Sequence, residues 1–334
     1  MRPKNLAKYM YHYSGMEKLM LGFLRNSKEP ILLDIVYHRV CRSMNSYEYM
    51  AIPADVFEGH IKFIKDNFRV VTMTDGLDLI REGKPKGMYA AINLDDGYMD
   101  NYTYAFPVLK KYNLSATIFL VTDVIGHDHL FWWDEVFQIM RGAKPGNVTE
   151  DAYRAIKIND LLMNKKDSEI RDFINNLKKQ CRINKEIIPN QMLGWKEIME
   201  MAGSGISFGG QTKTHKNLCL LEDNEMREEL SGSKLALEEK LGVKKIGFCY
   251  PYGKYDDRVK RIVRDTGFDY ARTCIKGPNN KDIDRFLLRS IDASFVFNKA
   301  LLGSSIAFHS LSPKFGIRNL RRGHAGVNGG NSGL

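Results

Sequence analysis

Four short clusters in this 334-residue chain combine side chains that can move a proton or hold a cation with turns that would present them. In Asn93-Leu94-Asp95-Asp96-Gly97, two adjacent carboxylates end an apolar run and meet a glycine. Two such acids repel unless a cation balances them, and a cation on one leaves the other free to act as a base. Asp-Asp-Gly is also good turn chemistry, so a helix-entry loop competes with that reading. In Gly209-Gly210-Gln211-Thr212-Lys213-Thr214-His215, Gln211 and His215 stand four apart. One helical turn would bring them to one point, and the glycines allow close backbone approach. Taken alone, a histidine such as His215 is more often a plain polar residue than a ligand. Phe248-Cys249-Tyr250-Pro251-Tyr252-Gly253 ends a run in a Pro- and Gly-containing turn. Such a turn either aims backbone N–H groups at a developing oxyanion or simply joins a strand to a helix. Tyr37-His38-Arg39-Val40 supplies His38, and histidine is the residue type suited to proton transfer near neutrality. That suits a general acid, or a hydrogen bond at a strand end.

These clusters need elements to hold them. Apolar runs predict buried strands at 31–37, 88–94, 115–121, 206–208, 245–250, 270–274 and 287–291, with helical patterns between most of them. Phe57, Ile61, Ile64 and Phe68 share a helical face, 223–241 reads as a long helix, and Asp100 and Asp256 are candidate N-caps. Near-continuous apolar strands alternating with helices imply an α/β fold with a parallel sheet covered on both faces, or a barrel. All four clusters fall at carboxyl ends of predicted strands, which in a barrel form one rim. The expected organisation is an N-terminal helical extension (1–29), a barrel (30–300) with a Lys-rich helical insertion (150–190), and a basic, Gly-rich tail (301–334). Leu6, Met10, Tyr13, Met20 and Leu24 give the extension a loosely amphipathic pattern, which packs on the body or rests on a membrane.

Composition narrows the function classes. At 43% apolar and 11% aromatic the chain is neither disordered nor fibrous. Its net charge of +10 is uneven: residues 1–30 and 310–334 carry +4 each, leaving +2 for everything between. A nucleic-acid enzyme carries its basic charge on the folded body, so no nucleic-acid partner is expected. Basic ends suit solvated tails, or peripheral contact with an anionic membrane face. Five dispersed cysteines without a CxxC pair, and no export signal in the sequence, point to a reducing cytoplasmic compartment, with the inner membrane face as the peripheral site.

Taken in order, the clusters resemble the motifs of the polysaccharide deacetylase family (NodB homology, carbohydrate esterase 4 type). Asn93 to Gly97 resembles its Thr-Phe-Asp-Asp-Gly motif, Gln211 to His215 its His-Thr-x-x-His motif, and Tyr250 to Gly253 its Pro-Tyr-Gly turn. The opening Tyr37-His38-Arg39-Val40 is similar to a subgroup acting on poly-N-acetylglucosamine-like polymers. The resemblance spans about 31–297 and implies a distorted (β/α)7 barrel. It further implies a metal-dependent hydrolase that removes N-acetyl groups from an N-acetylated carbohydrate in a surface polysaccharide pathway. Asp95 would be the base, His38 the acid and the Tyr252 N–H an oxyanion donor, with Pro251 and Arg289 as substrate-binding residues. Asp96, His215 and Gln211 would face the metal, most naturally zinc.

Three departures qualify that picture. Gln211 replaces a histidine ligand, which weakens metal binding; His127 or His129 would be a substitute. Cys249 stands where the family places an arginine that steadies the base; Arg289 would compensate or form a structural ion pair. The missing export signal favours a nucleotide- or lipid-linked precursor. His309, in Ile306-Ala307-Phe308-His309, loosely matches a late acid-bearing motif, but His38 is the preferred acid. The competing functions are a weakened or inactive carbohydrate-binding member of the fold, and a hydrolase of another non-peptide C–N bond.

Overall fold

The structure, a computed structural model, describes residues 16–27, 29–44, 48–83, 85–143, 148–183 and 186–311. Leu6, Met10, Tyr13 and the tail from Gly323 lie outside them. The apolar runs form strands: β1 (Ile31–Tyr37), β5 (Met88–Leu94), β6 (Thr117–Leu120), β9 (Ser207–Gly210), β10 (Gly247–Cys249), β11 (Tyr270–Lys276) and β12 (Leu288–Asp292). They pair in parallel in the order β1-β12-β11-β10-β9-β6-β5, and β1 pairs with β5 along its whole length to close a seven-stranded barrel. Beside the first half of β5 the short β4 (Arg69–Val70) occupies the edge that β6 takes beside the second half. Two small ribbons, β2 (Arg39–Cys41) with β3 (Ala51–Pro53) and β7 (Asp128–His129) with β8 (Asn190–Gln191), sit off the barrel.

β1 and β5 read almost continuously apolar because they are covered on both faces. Helix Ala54–Asn67 buries Phe57, Ile61 and Ile64, and helix Asp257–Asp265 starts at Asp256, whose Oδ1 accepts the Val259 N–H at 2.7 Å. Asp100 does not cap. A wide turn at Asn101–Ala105 precedes helix Phe106–Tyr112, and the Asp100 carboxylate instead accepts from Arg39 Nε at 2.7 Å and Val40 N–H at 3.3 Å. A buried guanidinium outcompetes a helix end for the carboxylate.

Between β6 and β9 the chain leaves the barrel for three helices, Trp132–Ala143, Val148–Leu162 and Asp167–Cys181. They start ahead of the expected 150 and share a separate core of Trp133, Val136, Phe137, Ala155, Leu162, Ile170 and Ile174 with Tyr98 from the rim. Leu161 and Phe173 on these helices are exposed. Helix Met16–Arg25 buries Leu21 and Leu24 and packs against helix Lys299–Leu311. Among the described residues no helix is long and apolar enough to cross a membrane. All five cysteines are unpaired.

Candidate active site

The ends of β1, β5, β9 and β10 bring His38, Asp95, Asp96, Gln211, His215 and Tyr252 to one cleft of about 330 Å³. A larger crevice of about 560 Å³, lined by Glu48, Arg141, Asp151 and Gln191, contains none of these residues. Strain gathers at the cleft. Seven described non-glycine residues have positive φ; Asn113 and Arg182 end helices, and the other five (Met50, Asp96, Thr212, His215, Tyr252) lie in loops at the cleft.

Asp95 continues β5 and is nearly fully buried. Asp96 and Gly97 follow with φ of 73° and 76°, and a Cβ on Gly97 would lie 2.8 Å from Leu120 Cδ2. This tight left-handed pair turns the two carboxylates to different partners. Asp95 receives Arg272 Nη2 on both oxygens, and His38 Nε2 lies 3.8 Å from its Oδ2. His38 is itself held at both ends: Asn101 Nδ2 donates to its carbonyl, and its Nδ1 is 2.9 Å from Ser294 Oγ.

Arg272 corrects the expectation for Arg289. Cys249 on β10 and Arg272 on β11 are register partners, so the guanidinium enters from the neighbouring strand into the space beside the missing motif arginine. Its Nη2 also lies 2.8 Å from Cys249 Sγ, and its Nε is 3.6 Å from Asp34 Oδ2. Burial pushes the Cys249 thiol well above its ordinary value, so it is a neutral neighbour and not a nucleophile. Arg289 lies outside the cleft lining, and its backbone exchanges hydrogen bonds with the Asn279 side chain. No single-residue signal separated Arg272 from other arginines; only the strand register does. Below it, Asp34 is fully buried, accepts from Asn93, and is pushed by burial up to about 7.

Gln211 and His215 do meet, but not on a helical turn. Thr212 and His215 take positive φ, the His215 N–H donates to Thr212 Oγ1 at 2.9 Å, and the N–H groups of Lys213 and Thr214 donate to the Glu229 carboxylate at 3.0 and 2.9 Å. The loop is thereby tied to helix Asp223–Leu241. The preceding glycines make room for the barrel itself: a Cβ on Gly209 would lie 2.5 Å from the Phe119 ring and 2.9 Å from the Gly247 carbonyl. His215 is ringed by Trp133 and Tyr252, each at 4.7 Å between centroids. Trp132 Nε1 donates to the Tyr252 hydroxyl at 2.9 Å. None of the four sequence clusters points to this wall; its sequence signal is the unbroken Phe131-Trp132-Trp133-Asp134 run. Pro251 is buried at the start of the turn and lies behind the lining, whereas Tyr252 and Gly253 reach it.

Asp96 and His215 fit a divalent cation. Asp96 Oδ1 is buried without a hydrogen-bond partner, 3.5 Å from His215 Nε2. Two ligand atoms on one tetrahedral ion with bonds of about 2.1 Å stand about 3.4 Å apart. Burial alone would raise the Asp96 carboxyl, but His215, His38 and Gln211 hold it below its ordinary value. Gln211 does not fit as it lies. Its Oε1 accepts the Asp96 N–H at 3.1 Å, which fixes the amide, and its Nε2 then faces His215 Nε2 at 3.0 Å. An N–H stands where a third donor is needed, and His215 Nδ1 has no hydrogen-bond partner to brace the ring. Among the described residues no group of three or more His, Cys, Asp and Glu is arranged for a metal. His127 is exposed and His129 half-buried; both lie outside the cleft lining, and Phe131 packs 4.4 Å from the His129 ring and 5.9 Å from that of His215. His309 sits on helix Lys299–Leu311, also outside the cleft.

Residues 82–271 match the family model described as polysaccharide deacetylase. YxkH of Bacillus subtilis, whose name assigns it provisionally to those deacetylases, is 25% identical over 287 residues, 85% of this chain and 79% of its own. The poly-beta-1,6-N-acetyl-D-glucosamine N-deacetylase of Staphylococcus aureus is 30% identical over 115 residues, 30% of this chain and 40% of its own. Among solved structures, the fold is similar to deacetylase PplD of Streptococcus pyogenes, determined with acetate (TM-score 0.60, 18% identity, 83% of this chain and 99% of the other). It is also similar to IcaB of Ammonifex degensii (TM-score 0.57, 21% identity, 82% and 97%).

Proposed function

The chain belongs to the polysaccharide deacetylase family, and from that premise we propose that its rim cleft hydrolyses the acetamide of an N-acetylated carbohydrate. The observation that carries this reading is the convergence of Asp95, paired to Arg272, with His38 on one side and the Asp96–His215 pair on the other. Asp95 takes a proton from the attacking water, whose oxygen adds to the acetamide carbon. His38, oriented by Ser294, delivers a proton to the sugar nitrogen as the C–N bond breaks, and acetate and a free amine leave. The buried Arg272 pairs with Asp95 and holds it in place, and the turn offers the Tyr252 backbone N–H to the oxyanion. A divalent cation, zinc first, would be held by Asp96 and His215, where it would polarise the acetamide carbonyl and acidify water.

The similarity to the staphylococcal poly-N-acetylglucosamine enzyme favours an N-acetylglucosamine glycan of the cell surface as substrate. A second reading, a weakened or inactive carbohydrate binder, draws support from the Gln211 amide, whose N–H occupies the third donor position. Acetate release from an N-acetylglucosamine oligosaccharide with added zinc tests the choice. We expect turnover that a chelator removes and zinc restores, and at least a hundredfold loss in Asp95→Asn with unchanged circular dichroism. Turnover that survives both treatments would end the hydrolytic scheme.

A further inference from the structure

The inserted helix Val148–Leu162 roofs the cleft, and one of its residues has no structural business there. Ile156, Asn159 and Asp160, with Met163 just beyond the helix, recur at helical spacing and all line the cleft that Asp95 and Asp96 also line. Asn159 is 5% exposed, yet neither its amide oxygen nor its amide nitrogen has a hydrogen-bond partner. The polar neighbour is the Tyr49 hydroxyl, which the amide holds down as a hydrogen-bond partner does, although neither amide atom reaches the geometry of a full hydrogen bond. A buried amide with neither end fully satisfied is costly, and a fold that needed only packing there would use Leu or Met. The position is not loose. Asn217 Nδ2 donates to the Met163 carbonyl at 2.9 Å, tying the end of this helix to the loop that carries His215.

We propose that Asn159 is a substrate-binding residue that recognises the N-acetylated sugar: its amide donates to one polar ring substituent and accepts from another, while the apolar roof covers the sugar face. This rests on the deacetylase reading for the identity of the sugar, but not for the existence of the site. An amide offering one donor and one acceptor side by side matches paired sugar hydroxyls or an acetamido group. The inserted helices thereby turn an open rim into a cleft that grips one residue of a glycan.

The test is to titrate an N-acetylglucosamine tetrasaccharide into the full chain by ligand-observed NMR, comparing wild type with Asn159→Leu and Asn159→Ser, and to melt all three. We expect the dissociation constant of Asn159→Leu to rise about tenfold, the worth of one hydrogen bond of about 1.4 kcal/mol. KM should rise in parallel with kcat nearly constant. The melting temperature should hold or increase, because Leu replaces an unsatisfied amide. Unchanged affinity in both variants, or no binding by wild type, overturns the proposal. So does a fall in melting temperature in both variants, which would make Asn159 a packing residue. Binding that weakens as expected in a chain that releases no acetate leaves Asn159 in place and removes the hydrolytic reading instead.

Discussion

Asp95 and Cys249 show how a site can keep its electrostatics while changing its residues. The guanidinium beside the base comes from Arg272 on β11, one strand over from the position where the sequence motif leads one to look. Arg272→Cys should unfold at lower urea, since breaking a buried ion pair from one side costs about 3–5 kcal/mol. The exchange Cys249→Arg with Arg272→Cys should recover stability and acetate release, because the two Cα positions are register partners. A double variant no better than Arg272→Cys alone would show that the strand of origin matters. Gln211 is the opposite case, a change that nothing nearby offsets. Gln211→His removes the N–H now facing His215 Nε2 and should tighten zinc binding by at least about tenfold, read by calorimetry on the full chain.

At the scale of elements, the turn Pro251–Gly253 sets the floor of the cleft. Gly253 has φ of 66°, and a Cβ there would lie 2.6 Å from Cys274 Sγ and 2.8 Å from the Cys274 backbone nitrogen. Tyr252 before it is left-handed as well, and its hydroxyl is held by Trp132. Gly253→Ala should therefore cost about 1–3 kcal/mol in urea unfolding and displace Tyr252 from His215, lowering kcat with it. A variant with wild-type stability and activity would mean that β11 yields to the methyl group. The three inserted helices carry their own core, so they place Trp132, Trp133 and Asn159 firmly over a rim that the barrel alone would leave open.

At the scale of the whole molecule, the barrel encloses charge that most cores exclude. Asp34 is buried, and burial raises it from 3.8 to about 7 against the opposing pull of Arg272. The native state keeps this proton above the pH at which the unfolded chain has released it. Stability from this group is therefore full below about pH 4 and falls as pH rises to about 7, by up to 1.4 kcal/mol per unit. Asp34→Asn keeps an acceptor for Asn93 and should flatten part of that decline, measured as urea midpoints from pH 5 to 8. Asp134, also raised to about 7 by burial, supplies a similar slope that the variant leaves in place. An identical slope in both chains would mean that Asp34 stays ionised throughout.

That the sheet closes into a barrel with a single rim is what the family resemblance implied; the residues by themselves determined the buried strands, their cover on both faces and the placing of His38, Asp95, Asp96 and His215 at strand ends. Those follow from local signals: unbroken apolar runs need cover on both faces, Asp-Gly and Pro-Tyr-Gly make turns, and parallel strands put their carboxyl ends together. Only the tertiary structure decided that Arg272 and not Arg289 meets the base. It also decided that Asp100 serves Arg39 instead of a helix, that Gln211 turns its N–H to His215, and that Asn159 overhangs the cleft. Each of those depends on which strand lies beside which, or on which buried group wins a shared partner. Such choices are settled by burial between residues far apart in the chain, and no local pattern of apolar, polar and turn residues encodes them.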